Sequence, residues 1–491
     1  MGRNTYWVLV ILISSLSFFF FSSLFYPLLN SDNAVTVLMI HDFNLPNDFY
    51  FWGQDRMGSL IPLLGQFFYK IFHLSALTSE SITHYLLLLS GFLAFASFLK
   101  NSWYKLIFCI IWFFPPIHMI DVTQFAFGIH YSLIAIACYL LNEINIGKEG
   151  NSKKHLYFIL FTFTLITAVW VSEMALVSIG VLIGIQSLIF IKENPSIKNI
   201  ILNKGVLYLL SGIALGFLFI KHAKSFSPNL QSYSNFSEFG NILNTFKQFF
   251  ESVYDILIFK ANEPLTSIYT YLVLILIGVL VFNRKKLKSI QNRWFYFFLI
   301  EGFLLLFIIL ISSWTFENNV PRRYFTCTYI SLSFALLLFL DASQLQNGLI
   351  KKLRFFTLSI VLIGGIGTLY NLKYVSPKTF KPTVQTISEF KKLGQIGIIG
   401  DYWNSYLIAC VDPDNIIATP HEFSYAVRKH ELVDKVFQQK KLYLIKDMWM
   451  EEFPDTLSQF GRTLVKKGDE FLIGGCFVNE YKVVSTEARL P

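Results

Sequence analysis

Eleven apolar stretches, most of them near 20 residues long, recur along this chain and limit its fold more tightly than any other feature. A helix of about 20 residues matches the ~30 Å hydrocarbon core of a bilayer. Within lipid every backbone N–H and C=O must be satisfied internally, so spanning segments are helices or closed barrels. The stretches lie near 7–26, 81–99, 106–120, 122–141, 156–171, 174–191, 205–221, 265–282, 294–313, 324–341 and 355–372. Composition agrees. Of 491 residues 54% are hydrophobic and 15% charged, and the mean hydropathy is +0.51; a soluble domain carries roughly 25% charged residues. A cytosolic enzyme, a disordered chain and a disulfide-built secreted module are thereby excluded. The net charge of +9 does not indicate nucleic-acid binding, because basic residues in a membrane protein sort by side of the bilayer. The first stretch is too long for a signal-peptide core, and no small-x-small site precedes Asp32, so it reads as a retained span.

Charge placement gives the topology. Arg3, Lys100 and Lys105, Lys148 to Lys154, Lys192 to Lys204, Arg284 to Arg293, and Lys351 to Arg354 fall in alternate gaps. With eleven spans these gaps share one side, which carries 17 Lys and Arg against eight in the opposite loops. The positive-inside rule makes that side cytoplasmic, with the N-terminus inside and the C-terminal region outside. Counting 58–74 as a twelfth span would put every later basic loop outside. It therefore reads as an amphipathic helix in the outer interface, with Tyr69 and Lys70 snorkelling. The expected fold is a polytopic α-helical membrane protein of about 11 spans (1–372, with a first outer loop at 27–80), followed by an extracytoplasmic α/β domain (373–491). In that domain short apolar runs at Ile396–Ile399, Ile416–Ala418 and Leu442–Ile445 alternate with helix-like stretches, and a β-rich end follows at 463–484. No GxGxxG or P-loop is present, and no internal repeat. Cys410 and Cys476 can pair if the outer compartment is oxidising.

The candidate chemistry gathers on the outer side. Asp32 follows the first span by a few residues, at a depth where a carboxylate is costly unless paired or used. There it can act as a general base toward a hydroxyl or amine, or ligate a divalent metal; the plainer alternative is that acidic residues simply collect outside. Asp55 and Arg56 lie in a Gly/Gln/Trp-rich turn, Asp121 precedes the fourth span, and Glu173 caps the hairpin between the fifth and sixth. Arg322, Arg323 and Tyr324 open the tenth span. Paired arginines at the outer edge run against the positive-inside rule; bidentate binding of a phosphate headgroup accounts for them, as does a surface pair with Glu317. Asp412-Pro-Asp414 reads as turn chemistry, Asp401-Tyr-Trp403 as a helix cap or a sugar-stacking segment, and Glu301 as a carboxylate near the cytoplasmic end of its span that snorkels or pairs with a basic neighbour.

SDNA at 31–34, PRRYF at 321–325 and GQDRMGSLIP at 53–62 carry a resemblance. With an inward N-terminus, an acidic motif after the first span and an outer C-terminal domain, the chain resembles the glycosyltransferase C superfamily, which includes protein O-mannosyltransferases and lipid A aminoarabinose transferases. Asn33 stands where members commonly carry a second acid. The resemblance implies a membrane glycosyltransferase that moves a sugar from a polyprenyl-phosphate carrier to a glycan, lipid or protein acceptor on the outer face of the cytoplasmic membrane, with inversion at the anomeric carbon. It implies Asp32 as the catalytic carboxylate and Arg322 or Arg323 on the lipid phosphate; Asp55 and Glu173 could orient sugar or acceptor. Two rivals stay open: a lipid-linked saccharide flippase or transporter, and an O-antigen polymerase or ligase. Interior spans nearly free of charge disfavour the first, and the acidic loop directly after the first span disfavours the second.

Overall fold

The computed structural model describes residues 2–119, 123, 126–146, 152–193, 204–228, 235–258, 260, 266–282, 292–342, 348–371, 380–424 and 426–486. The chain forms two compact units: 1–18, 86–220 and 231–378 make the first, and 19–85, 221–230 and 379–491 the second. In chain order the main helices are α1 (Arg3–Phe21), α2 (Ser31–His41), α3 (Leu60–Gln66), α4 (Ala76–Ala96), α5 (Ser102–Phe113), α6 (His130–Ile146), α7 (Ser152–Val171) and α8 (Ala175–Glu193). They continue with α9 (Lys204–Lys224), α10 (Phe239–Leu257), α11 (Thr270–Phe282), α12 (Arg293–Ile311), α13 (Thr326–Ala342), α14 (Gly348–Asn371), α15 (Tyr402–Ala409) and α16 (Glu431–Phe437).

Each of the eleven apolar windows contains a helix. Among the described residues seven helices are long and apolar enough to cross a membrane, at Arg3–Phe21, Lys153–Val171, Ala175–Lys192, Gly205–Lys224, Arg293–Ile311, Arg322–Ala342 and Lys351–Tyr370. The others are shorter or more polar. Helices α5 and α11 have 12 and 13 residues, and α4 carries Glu80 and His84, which approach each other to 3.5 Å.

Lipid tails give no hydrophobic drive for helix association, so close packing must supply it. In the first unit that packing centres on α13, where Phe334 lies 4.5 Å from Phe108, 4.7 Å from Phe298 and 5.6 Å from Phe95, ring to ring. Beside this cluster Glu301 is fully buried. It does not snorkel or find a basic partner: Tyr131 Oη and Ser331 Oγ donate to its Oε2 at 2.9 and 2.7 Å. Hydroxyls on neighbouring helices thus hold its Oε2 where it stands, while Oε1 is buried without a hydrogen-bond partner among the described residues.

The second unit is built on a six-stranded sheet of order β2-β1-β3-β6-β5-β4. Strands β1 (Ile396–Gly400), β2 (Ile416–Pro420) and β3 (Lys441–Lys446) are parallel, while β4 (Thr456–Gln459), β5 (Arg462–Ile473) and β6 (Cys476–Thr486) add antiparallel neighbours. The first two apolar runs become β1 and β2, the third becomes β3, and the β-rich end becomes β5 and β6. All of β1 is buried, as a central parallel strand requires. Because β2 and β3 flank β1 on opposite sides, the winding reverses at β1. Loops leaving the carboxyl ends of such strands commonly build sites.

The segment read as an outer loop is largely structured and belongs to this unit. Val35, Leu38, Met39 and Ile40 of α2, with Phe51 and Trp52, share one buried cluster with Ile396, Ile398, Tyr406, Ile408 and Val478. Helix α3 packs close to α2: a Cβ on Gly65 would come within 2.6 Å of Ile40 Cδ1, and Gln66 Nε2 donates to the Ile40 carbonyl at 2.7 Å. Leu63, Leu64, Phe67 and Ile71 stay exposed, so 60–71 presents an uncovered apolar face. Cys410 and Cys476 are both free thiols.

Two glycines distinguish packed from open helix faces. A Cβ on Gly302 would lie 2.6 Å from Leu332 Cδ2 across the α12–α13 contact, whereas one on Gly184 meets nothing within 4 Å. Gly302→Ala should therefore lower the thermal unfolding midpoint of the detergent-solubilised protein, at a cost of about 1–3 kcal/mol. Gly184→Ala should leave it unchanged or slightly raised. Equal effects would contradict this packing.

Candidate active site

Asp32 occupies the first turn of α2. Asn30 caps that helix, its side-chain oxygen accepting from Asn33 N at 3.2 Å, and a carboxylate in the first turn is favoured by the exposed N–H groups there. The N-terminus of α2 is tied to that of α15: Ser31 Oγ donates to the Tyr402 carbonyl at 2.6 Å. Asp32 Oδ1 accepts a hydrogen bond from Tyr402 Oη at 2.5 Å. Burial, and then the charge of Asp32, push the Tyr402 phenol far above its ordinary value despite the opposing charge of Arg428. The phenol therefore stays protonated and acts as a donor. It engages one oxygen of Asp32, and among the described residues no group donates to Oδ2.

Arg428 completes this group of side chains. Its guanidinium carbon lies 5.1 Å from the centre of the Tyr402 ring, within range of a cation–π contact. The segment carrying it, between β2 and α16, is pinned at several points. Arg428 N donates to Tyr406 Oη at 3.0 Å. Lys429 Nζ pairs with Asp42 at 2.9 Å and lies 4.5 Å from the centre of the Trp52 ring. Gly53, at φ +65°, approaches so closely that a Cβ there would sit 3.0 Å from the Arg428 carbonyl oxygen and 3.1 Å from its Cα. A residue with a side chain is disfavoured at that φ as well. The loop bearing Gly53 is itself ordered by the buried Asp48, which accepts from Asn44 N at 2.7 Å and Trp52 Nε1 at 3.0 Å. Burial holds the Asp48 carboxyl above its ordinary value.

The Asp42–Lys429 tie depends on pH. Burial alone would raise the Asp42 carboxyl, but the hydrogen bond and charge of Lys429, with Lys435 and His41 adding to them, hold it below its ordinary value. The folded value lies below the unfolded one. The tie therefore contributes fully above the ordinary carboxylate range and is lost as pH falls through the depressed value.

The remaining sequence candidates divide between the units. Asp55 and Arg56 are half-buried in the turn of the second unit, where Arg56 Nε donates to Gln54 Oε1 at 3.2 Å. In the first unit Arg322, Arg323 and Tyr324 form a 3-10 turn ahead of α13, with the Arg323 guanidinium 5.4 Å from the Tyr324 ring centre. Tyr324 and Met174 pack against one small core, so the exposed Glu173 turn and the Arg322–Phe325 turn border the same cluster. Asp121 lies outside the described residues. Asp412 accepts from Asn415 Nδ2 at 3.1 Å within a turn, and Asp414 pairs with His41 at 3.0 Å. Asp401 caps α15, accepting from Trp403 N at 2.7 Å. Sequence reasoning met Tyr402 only within Asp401-Tyr-Trp403, as part of a helix cap or a sugar-stacking segment, and did not select Arg428. The basic triplet Arg428-Lys429-His430 in a domain expected outside was the available signal, by the logic that drew attention to Arg322 and Arg323.

Removing the Tyr402 hydroxyl tests this geometry. A hydrogen bond to a charged group is worth about 1.5–3 kcal/mol. Tyr402→Phe should therefore lower turnover about 10- to 100-fold with the protein still folded, and Gly53→Ala, which displaces Arg428, should also lower it. Wild-type rates for Tyr402→Phe would show that the Asp32 contact has no part in the chemistry.

No protein-family model matches the chain, and no curated protein matches its sequence. Solved structures do match its fold. ArnT from Cupriavidus metallidurans bound to undecaprenyl phosphate superposes with a TM-score of 0.58 over 98% of each chain at 11% identity, and its apo state with 0.56 at 10%. The apo oligosaccharyltransferase of Archaeoglobus fulgidus gives 0.47 over 92% of this chain and 70% of its own, at 12% identity. At such low identity the backbone path is what is shared: the chain has the fold of ArnT.

Proposed function

We propose that this protein is a glycosyltransferase that moves a sugar from a polyprenyl-phosphate carrier to a glycan, lipid or protein acceptor at the outer face of the cytoplasmic membrane. The observation that carries this reading is Asp32, the carboxylate of the acidic motif, held by Tyr402 at one oxygen with the other left to act. It stands in a chain whose fold is that of a protein solved with undecaprenyl phosphate bound. Uncovered apolar surfaces on several long helices, such as Phe163, Leu188 and Phe217, suit a lipid environment, and an isoprenoid tail needs an apolar groove.

In the proposed reaction an acceptor hydroxyl or amine attacks the anomeric carbon as Asp32 Oδ2 takes its proton. The bond from that carbon to the phosphate oxygen breaks. The electron pair leaves with the polyprenyl phosphate, and direct displacement inverts the anomeric centre. The Tyr402 phenol fixes the carboxylate and its orientation throughout. Charge that builds on the leaving phosphate calls for a preorganised cation, and Arg322 or Arg323, opening the tenth span beside Tyr324, are the motif's candidates. Asp55, Arg56, Glu173 and Asp121 are proposed to orient the sugar or acceptor. The 373–491 domain lies outside in this reading, because the positive-inside count places it there.

Mass spectrometry of lipid-linked sugars tests the proposal in cells with wild-type protein, with no protein, or with Asp32→Asn at matched expression. The expected result is one polyprenyl-phosphate sugar accumulating equally in the null and Asp32→Asn cells, while a surface glycan, lipid or protein loses that sugar. If Asp32→Asn matches wild type while the null disturbs the lipid pool, the transferase reading fails and a flippase replaces it.

A further inference from the structure

Among the arginines described in the second unit, Arg428 differs in how its charge is met. Arg462 pairs with Asp434 at 2.7 Å and stacks on Phe437 at 4.2 Å, and Arg56 spends its Nε on Gln54. Arg428 is half-buried, its Nε is buried with no hydrogen-bond partner, and no carboxylate among the described residues forms an ion pair with it. A partly desolvated guanidinium is costly unless an anion meets it. Yet the chain holds this one in place from Gly53, Tyr406 and the Lys429–Asp42 pair. Lys429, the next residue, pairs with Asp42 at 2.9 Å and Lys435 approaches it at 3.7 Å, so that carboxylate is already committed elsewhere. The Arg428 guanidinium instead faces the ring of the phenol whose hydroxyl holds Asp32.

We propose that Arg428 is the anion-binding group of this site and takes the phosphate of the lipid-linked substrate beside the Asp32–Tyr402 pair. The inference rests on the glycosyl-transfer reading and names the residue that would meet its leaving group. Guanidinium suits a phosphate, because its planar N–H fork matches two phosphate oxygens at once and stays charged at any working pH. With a carboxylate and a guanidinium both in contact with one phenol, the group that gains the acceptor's proton and the group that stabilises the departing phosphate are positioned by the same residue. Arg322 and Arg323 are the candidates that the sequence motif supplies. Arg428 is the arginine with a described link to Asp32.

The test measures binding of undecaprenyl phosphate, and separately of inorganic phosphate, to purified full-length protein. The variants are Arg428→Gln, Arg428→Lys and Asp32→Asn, with thermal unfolding of each recorded to confirm folding. Arg428→Gln should weaken lipid-phosphate binding about 10- to 100-fold. Arg428→Lys should recover part of that loss, because a point charge replaces a fork. Asp32→Asn should bind as wild type does while turnover is lost. If folded Arg428→Gln binds the lipid phosphate as wild type does, the proposal is overturned and the transferase reading survives, with Arg428 reduced to positioning Tyr402. If the wild type binds inorganic phosphate through Arg428 but not undecaprenyl phosphate, the anion site stands and the lipid-linked donor fails. Binding of neither anion by the wild type would remove both.

Discussion

A single buried cluster, shared by the segment after the first helix and the C-terminal sheet, is the packing on which the candidate site depends. Helix α2 buries Val35, Val37, Met39 and Ile40 completely, and the cluster that takes them includes Ile396, Ile398 and Ile408. Removal of this much apolar surface from water, at roughly 25 cal/mol per Å2, fixes α2 far more firmly than its two polar ties could. The ties then set the details. Ser31 Oγ on the Tyr402 carbonyl fixes the register between α2 and α15, and the Tyr402 hydroxyl reaches Asp32 as a consequence. The two residues are 370 positions apart in the chain, and burial brings them together.

Much of the fold was legible because the bilayer leaves so few solutions. Hydropathy alone located a helix in each of eleven windows, and short apolar runs located β1, β2 and β3. What hydropathy could not supply was how long each helix remains regular. Helix α5 ends at Phe113, just before the Pro115–Pro116 pair, where backbone constraints on and around proline stop it; α4 tolerates Glu80 and His84 because each lies beside the other. Glu301 shows the same limit. A carboxylate near a span end suggests snorkelling or a basic partner, but Tyr131 and Ser331, at distant positions in sequence, hold its Oε2 in place. Such contacts are a property of packed neighbours and leave no local pattern.

The candidate site was half legible. An acid placed just past a span is an anomaly that a single sequence can reveal, and Asp32 was found by that route. Charge placement made 27–80 read as an outer loop carrying one interfacial helix at 58–74, although α2 within it is almost wholly buried; its apolar residues run continuously because it is covered on nearly all sides, so no amphipathic period marks it. Tyr402 was visible only within Asp401-Tyr-Trp403, a cap or a sugar-stacking segment; Asp401 does cap α15. Arg428 depends on Gly53 for its place, and a glycine in a turn reads as turn chemistry until the residue it must approach is known. Arg322 and Arg323, by contrast, were conspicuous for their side of the membrane, which is a reason of charge sorting and carries no information about contacts.

Amide hydrogen exchange tests the shared core most directly, comparing the intact protein with Ile408→Ala, a cavity-forming change expected to cost about 2–5 kcal/mol. If α2 and the sheet form one cooperative unit, protection should fall together in 31–41 and in 396–400. Loss of protection in the sheet with 31–41 unchanged would contradict that unity, and with it the origin of the Asp32–Tyr402 contact.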